Sequence, residues 1–316
     1  MLVGAAVTVA LSGSQPARRA PKTTRRPAAR TVTPSPPRPR GPFAVGLRVL
    51  RLVDHSRLIG AEPRTLVTVV RYPAVGAPSA RDLPNAQPER TGGPFPLVVF
   101  AHGYRLAPYT YAQLLHAWAH AGYVVAAPAF PLTNADAPVV DRSDLINQPQ
   151  DVRFVISRLL AQRGAPLGGL IDGTRIALGG HSDGVDSALA VAYSKLRDRR
   201  VRAALGFSGA EISAFTGFSG SPRGVPLLAV QGTADSVNSP NGTYSYFADA
   251  PRPKYLLMLL GAEHTAPYQD EQAHLGIVAR VSTAFLDNYV KGDAAAGRLL
   301  AALGSVPGLS TLQIDR

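Results

Sequence analysis

The chain has 316 residues, 46% of them hydrophobic, which suits one large folded core with appendages. It contains no cysteine, so disulfides, cysteine metal sites and thiol catalysis are excluded. The formal net charge of +12 is concentrated at one end: residues 1–42 hold eight basic residues and no acid, leaving +4 for the rest, which does not suggest a nucleic-acid binder.

In chain order, Leu2 to Leu11 is an apolar run followed by Ser12-Gly13-Ser14. It is too short for a membrane span, which needs about 20 residues. Residues 1–15 suit the apolar core and small-residue end of a secretory signal, although a positive leading segment is missing. The expectation is a secreted or cell-envelope protein, with a start further upstream as one explanation of the missing segment and an N-terminus of no consequence as the alternative. Residues 16–42 carry eight prolines among the basic residues and predict a disordered, extended linker. Such a segment suits weak contact with an anionic surface or plain spacing.

Residues 43–316 predict one folded domain. Leu47 to Val53 and Thr65 to Tyr72 read as an antiparallel pair at a sheet edge. Residues 73–95 read as a loop. Pro96 to Ala101 is a buried strand, Tyr109 to Ala121 a helix, and Tyr123 to Ala127 the next strand. A helix opening at Ser143 is expected to break or restart near Pro149, and Asp151 to Gln162 is amphipathic. Arg175 to Leu178 is a strand and Val185 to Tyr193 a helix. Val201 to Phe207, Pro226 to Gln231 and Lys254 to Leu260 are strands, the last taken as final, and Gln272 to Val290 is the closing helix. Strands alternating with helices imply a mostly parallel central sheet with helices on both faces, an α/β fold. The spacing between Phe207 and Pro226 leaves no room for a large lid domain.

Between the strand at Arg175 and the helix at Val185 stands Gly180-His181-Ser182-Asp183-Gly184. Strand, G-x-S-x-G turn, then helix is the context of a nucleophile elbow, which holds a serine above the sheet beside a helix N-terminus. The two other Gly-Phe-Ser-Gly stretches, at Ser208 and Ser219, lack the second glycine of the pattern. A serine needs a base, and the base needs an orienting carboxylate. In this architecture they follow in the order Ser, acid, His. His264, in a Gly-x-x-His turn after the Lys254 strand, is favoured as base over His274 in the final helix. Asp235, just past the Pro226 strand, is the acid, because open α/β sheets build sites at their carboxyl edge. The backbone N–H groups of Asp183 and Tyr104 are the candidate oxyanion donors, and the Tyr104 ring is a candidate substrate contact. His116 and His120 stand four apart on a helix but lack the zinc-protease glutamate, and read as a surface or core-rim pair.

These stretches, with Val98-Val99-Phe100-Ala101-His102-Gly103-Tyr104, Gly232-Thr233-Ala234-Asp235 and Gly261-Ala262-Glu263-His264 in that order, resemble the α/β-hydrolase superfamily over roughly residues 45–291. Within it the chain looks most like bacterial lipases, cutinases and polyester hydrolases, with the chlorophyllase, dienelactone-hydrolase and platelet-activating-factor acetylhydrolase relatives. The resemblance implies a serine carboxylic-ester hydrolase acting through an acyl-enzyme on a small-molecule, lipid or polyester ester, with no cofactor and no metal. A thioesterase or peptidase on the same triad, or a non-catalytic wall-associated protein with a degenerate hydrolase fold, are the alternatives. Two departures stand out. Asp183 replaces the methionine usual after the serine in polyester hydrolases. Where they carry an aromatic clamp, this chain has Gly206-Phe207-Ser208-Gly209-Ala210, which makes Phe207 and Ser208 candidate substrate contacts.

Overall fold

A computed structural model describes residues 1–6, 8, 10, 41–162, 164–210 and 224–316. The chain divides into two units, Met1–Pro37 and Arg38–Arg316; the described residues of the first carry no helix or strand. The expected linker falls almost wholly outside the described residues, as do about half of the expected signal and all of 211–223, the segment on which the expectation of a missing lid rested.

The second unit is built on a ten-stranded sheet. Its strands are β1 (Ala44–Ile59), β2 (Glu62–Ala74), β3 (Asp82–Pro84), β4 (Phe95–Ala101), β5 (Val124–Ala129), β6 (Ile171–His181), β7 (Val201–Phe207), β8 (Leu227–Gly232), β9 (Lys254–Leu259) and β10 (Ser310–Asp315). The spatial order is β10-β9-β8-β7-β6-β4-β5-β2-β1-β3. From β5 across to β9 all neighbours are parallel; β2 joins β5 antiparallel, and β10 joins β9 antiparallel. All seven residues of β4 are buried, as expected for a central parallel strand covered on both faces.

Helices α1 (Ala112–His120), α2 (Gln148–Ala161), α3 (Asp183–Tyr193), α4 (Pro240–Asp249), α5 (Ala266–Gln269), α6 (Gln272–Leu286) and α7 (Ala294–Gly304) complete the unit. Two apolar cores result. One gathers Val155 and Ile156 of α2 and Ala188 and Val191 of α3 against Leu97, Val99 and Leu178. The other gathers Leu115 and Trp118 of α1 and Val278 and Phe285 of α6 against Val98, Phe100 and Leu228. Alternate residues of the same strands feed the two cores, as the period-2 pleat requires. The fold is that of an α/β hydrolase.

Several boundaries differ from the sequence reading. The expected restart near Pro149 is present, but the segment before it is a 3₁₀ turn, Arg142–Asn147, rather than an α-helix; Pro149 sits in the first turn of α2, where its missing N–H costs nothing. The helix expected from Tyr109 begins as a 3₁₀ turn, Pro108–Tyr111; the helix expected to close the chain, α6, ends in a π-helical turn, Asp287–Lys291, and is followed by α7. β10 supersedes β9 as the last strand. Its Leu312 and Ile314 alternate with polar residues, the period-2 signal of an edge strand.

The β1–β2 hairpin matters for the site. Val67 of β2 lies opposite Ala129, the last residue of β5, so residues 59–66 project beyond the carboxyl edge of the sheet. Among the described residues, no helix is long and apolar enough to cross a membrane.

Candidate active site

Ser182 stands between β6 and α3 with φ 53° and ψ −126°, a backbone conformation costly for a residue with a side chain. The flanking glycines are sterically required. A Cβ on Gly180 would lie 2.1 Å from the Gly184 carbonyl oxygen, and one on Gly184 would lie 2.2 Å from that of Ala101. Only hydrogen at both positions lets α3 leave the strand this closely.

Asp235 and His264 follow β8 and β9, adjacent parallel strands, so both emerge at the same edge as Ser182. Their two loops touch: a Cβ on Gly232 would lie 2.3 Å from the Ala262 carbonyl oxygen, and the Ala234 N–H donates to that oxygen at 3.0 Å. The His264 ring then spans the gap. Its Nε2 lies 3.0 Å from Ser182 Oγ and its Nδ1 2.8 Å from Asp235 Oδ2. With Nδ1 donating to the carboxylate, Nε2 is left as acceptor for the serine hydroxyl. Asp235 is held in turn by Gln231 Nε2 at 3.0 Å and by the N–H groups of Val237 and Asn238 at 3.0 and 2.8 Å. Burial works to raise the Asp235 pKa, but the hydrogen bonds from His264 and Asn238 outweigh it and keep the carboxyl below its ordinary value. The sequence alternative, His274, instead bonds Glu271 three residues before it.

The loop after β4 lies against the serine: a Cβ on Gly103 would come 3.0 Å from Ser182 Cβ. Among the described residues, no hydrogen bond takes up the backbone N–H of Tyr104 or of Asp183, the latter in the first turn of α3. Two buried histidines frame this arrangement. His102 donates Nδ1–H to Gly103 O at 2.8 Å and accepts the Phe130 N–H on Nε2 at 3.0 Å. His181 donates Nε2–H to the His264 carbonyl at 2.9 Å and accepts the Tyr111 hydroxyl on Nδ1 at 2.8 Å; Tyr111 Oη in turn accepts the Gly103 N–H at 3.2 Å. Burial lowers the pKa of His102 to about 4. Burial, aided by the neighbouring His264, lowers that of His181 to about 3. Both are therefore neutral, with tautomers set by their partners.

Sequence reasoning missed this second layer. His181 stood there only as the variable residue of G-x-S-x-G, and Tyr111 only as a helix residue. Their meeting depends on contacts 70 and 83 residues apart.

Two candidate substrate contacts need correction. Phe207 is fully buried and packs against Phe100, Trp118 and Tyr268, so it is core rather than cleft wall. Ser208 is also fully buried, with φ 47°; its hydroxyl meets Tyr268 Oη at 2.8 Å and its carbonyl accepts Asn238 Nδ2 at 2.7 Å. It supports the acid loop from below. Tyr104 is half-buried, and its ring lies 5.7 Å from the Arg142 guanidinium. Arg142 was not singled out in the sequence. It forms a two-pronged pair with the Asp183 carboxylate at 2.9 and 2.8 Å, which raises its own pKa. His116 pairs with Asp82 at 2.7 Å and stacks on His120. Among the described residues no group of three or more potential ligands gathers for a metal.

Next to Arg142 opens a cavity of about 880 Å³. Leu58 and Ile59 of the projecting hairpin wall one side, and Leu132, Leu145 and Ile146 the other. Leu58 and Ile146 are about three-fifths exposed, an unusual cost for two large apolar side chains facing one hollow.

The fold and the elbow define an α/β hydrolase. Within that superfamily the chain is similar to the chlorophyllase family of ester hydrolases, whose family model matches residues 60–213. The match includes Ser182, Tyr104 and Asp183 but stops before Asp235 and His264. No curated protein matches the chain.

Proposed function

We propose that the protein is a serine carboxylic-ester hydrolase in which Ser182 is the nucleophile, His264 the general base and Asp235 the orienting carboxylate. The observation that carries this reading is the continuous line from Ser182 Oγ to His264 Nε2 (3.0 Å) and from His264 Nδ1 to Asp235 Oδ2 (2.8 Å). Ser182 Oγ attacks the ester carbonyl carbon while its proton passes to His264 Nε2. The carbonyl oxygen takes the negative charge and is received by the N–H groups of Tyr104 and Asp183. Collapse breaks the bond to the alkoxy oxygen, which leaves as alcohol with the proton from His264. Water then attacks the acyl-enzyme, gives its proton to His264, and the acid departs as Ser182 recovers that proton.

The cavity at Arg142, walled by Leu58, Ile59, Leu132, Leu145 and Ile146 but also by Arg64, Asp141 and Asp144, supports a substrate with one sizeable apolar arm, such as a lipid-like or aromatic ester, since pockets of about 300–1,000 Å³ hold ligands of that size. The enzyme needs no cofactor in this scheme. The basic, proline-rich segment is in keeping with an exported or envelope-associated enzyme that touches anionic surfaces through its tail, a reading that rests on composition alone.

Ser182→Ala tests the proposal directly. Hydrolysis of p-nitrophenyl esters should fall by at least about 10⁴-fold while circular dichroism and thermal unfolding stay unchanged. Turnover at the parent rate refutes it. Side-by-side ester, thioester and anilide substrates separate the reading from a thioesterase or a peptidase. Failure of the parent protein to react with a fluorophosphonate would favour a degenerate, non-catalytic site.

A further inference from the structure

Asp183 carries an unwelcome charge for its position. Its backbone N–H is one of the two proposed oxyanion donors, and its side chain is only 10% exposed. A unit negative charge about 7 Å from a developing oxyanion, at an effective dielectric constant of about 20, slows acylation by about fiftyfold, and by about tenfold once solvent screening is allowed for.

The fold supplies the opposite charge from a distant part of the chain. Arg142 Nε–H donates to Asp183 Oδ2 at 2.9 Å and Nη2–H to Oδ1 at 2.8 Å. This parallel fork is the strongest geometry available to an arginine–carboxylate pair. The same guanidinium lies over the ring of Tyr104, the other proposed donor residue. One side chain thus grips both halves of the proposed oxyanion hole. Its first residue position in the 3₁₀ turn Arg142–Asn147 also places it on the wall of the cavity.

We infer that Arg142 is a positioning residue for ester hydrolysis: it cancels the Asp183 charge beside the oxyanion and holds the Tyr104 loop in register with α3. The inference rests on the proposed function. Its content is electrostatic, because the Arg142 side chain is 62% exposed and contributes little to either core. Removing it should cost rate rather than fold.

The test is a double-mutant cycle on hydrolysis of p-nitrophenyl butyrate, with R142Q, R142K, D183N and R142Q/D183N. R142Q should lower kcat about tenfold with KM changed less than about threefold, the signature of a lost transition-state interaction. R142K should retain part of the rate, since a point charge remains. In the D183N background R142Q should cost less than about threefold, because no charge is left to cancel. The R142Q deficit should shrink in 1 M salt, where the screening length is about 3 Å. Fluorophosphonate labelling of R142Q should still go to completion, which reports an intact fold and serine. R142Q with parent kcat, or an equal loss in both Asp183 backgrounds, overturns the inference. A parent protein that neither hydrolyses esters nor labels overturns the proposed function itself, so the two failures are distinguishable.

Discussion

Acid stability offers the sharpest physical test of the frame around Ser182. His102 and His181 are both fully buried and held neutral, with pKa values lowered to about 4 and about 3. In the unfolded chain each titrates near 6.5. Between those limits the unfolded state binds more protons than the folded one, so stability falls as pH falls. The contribution is complete above about pH 6.5 and drains away as pH drops towards the folded values. From pH 7 to pH 5, two such groups should together remove about 3–4 kcal/mol. Buried Asp151, whose pKa burial raises, works in the opposite sense: its contribution is full below about 3.8 and is lost as pH rises through its folded value. The lowered carboxyls, Asp54, Asp82, Asp141, Asp172, Asp198 and Asp235 from 3.8 and Glu89 from 4.5, lose their linked contributions mainly below about pH 5. Urea unfolding at pH 7 and pH 5, read by tryptophan fluorescence, measures the difference; Trp118 is the one tryptophan and is fully buried. His102→Gln should lose about half of the pH-dependent part, whatever its absolute stability. A change under about 1 kcal/mol in the parent protein would mean these imidazoles can take up protons inside the fold, and the account of the frame would be wrong.

Two substitutions test the elbow and the acid. Gly184→Ala forces a Cβ to within 2.2 Å of the Ala101 carbonyl oxygen and should destabilise the protein by more than about 3 kcal/mol in urea unfolding. Gly276→Ala on α6 meets only the flexible end of Arg280 at 3.2 Å, and should be neutral or stabilise by up to about 1 kcal/mol. Similar effects of the two would show that the close strand–helix approach is not what excludes a side chain from Gly184. Asp235→Asn should keep the fold but lower kcat by about 10³–10⁴, because the amide no longer sets the His264 tautomer; a loss under tenfold would remove Asp235 from its proposed role.

Much of this was open to sequence reasoning because the decisive signals are local. The G-x-S-x-G turn is five consecutive residues whose glycines answer a steric demand within that turn. Asp235 and His264 each follow directly on an apolar strand, so the rule that sites gather at the carboxyl edge brings them together once the strands are recognised. The outer elements were harder to see. β3 is three residues long and pairs only with β1, so no periodicity can announce it. The 3₁₀ turn ahead of α2 looked like the start of an interrupted helix, because proline in a first turn and proline at a break carry the same letter.

The supporting layer obeys a different logic. Phe207 stands where the resemblance expects an aromatic clamp, but β7 lies between β6 and β8, and the aromatic cluster of Phe100, Trp118 and Tyr268 closes over the ring. Arg142 meets Asp183 across 41 residues, and His181 meets the His264 carbonyl across 83. Pairings of that span depend on the register of several strands at once. Their effect is nonetheless concentrated, since both partners sit one residue either side of Ser182. The nucleophile is thus bracketed by a neutral imidazole tied to the backbone of the base and a carboxylate neutralised by a distant arginine. Neither neighbour thus sets a net charge beside the nucleophile that would compete with the Asp235–His264 pair, where the proposed reaction needs it.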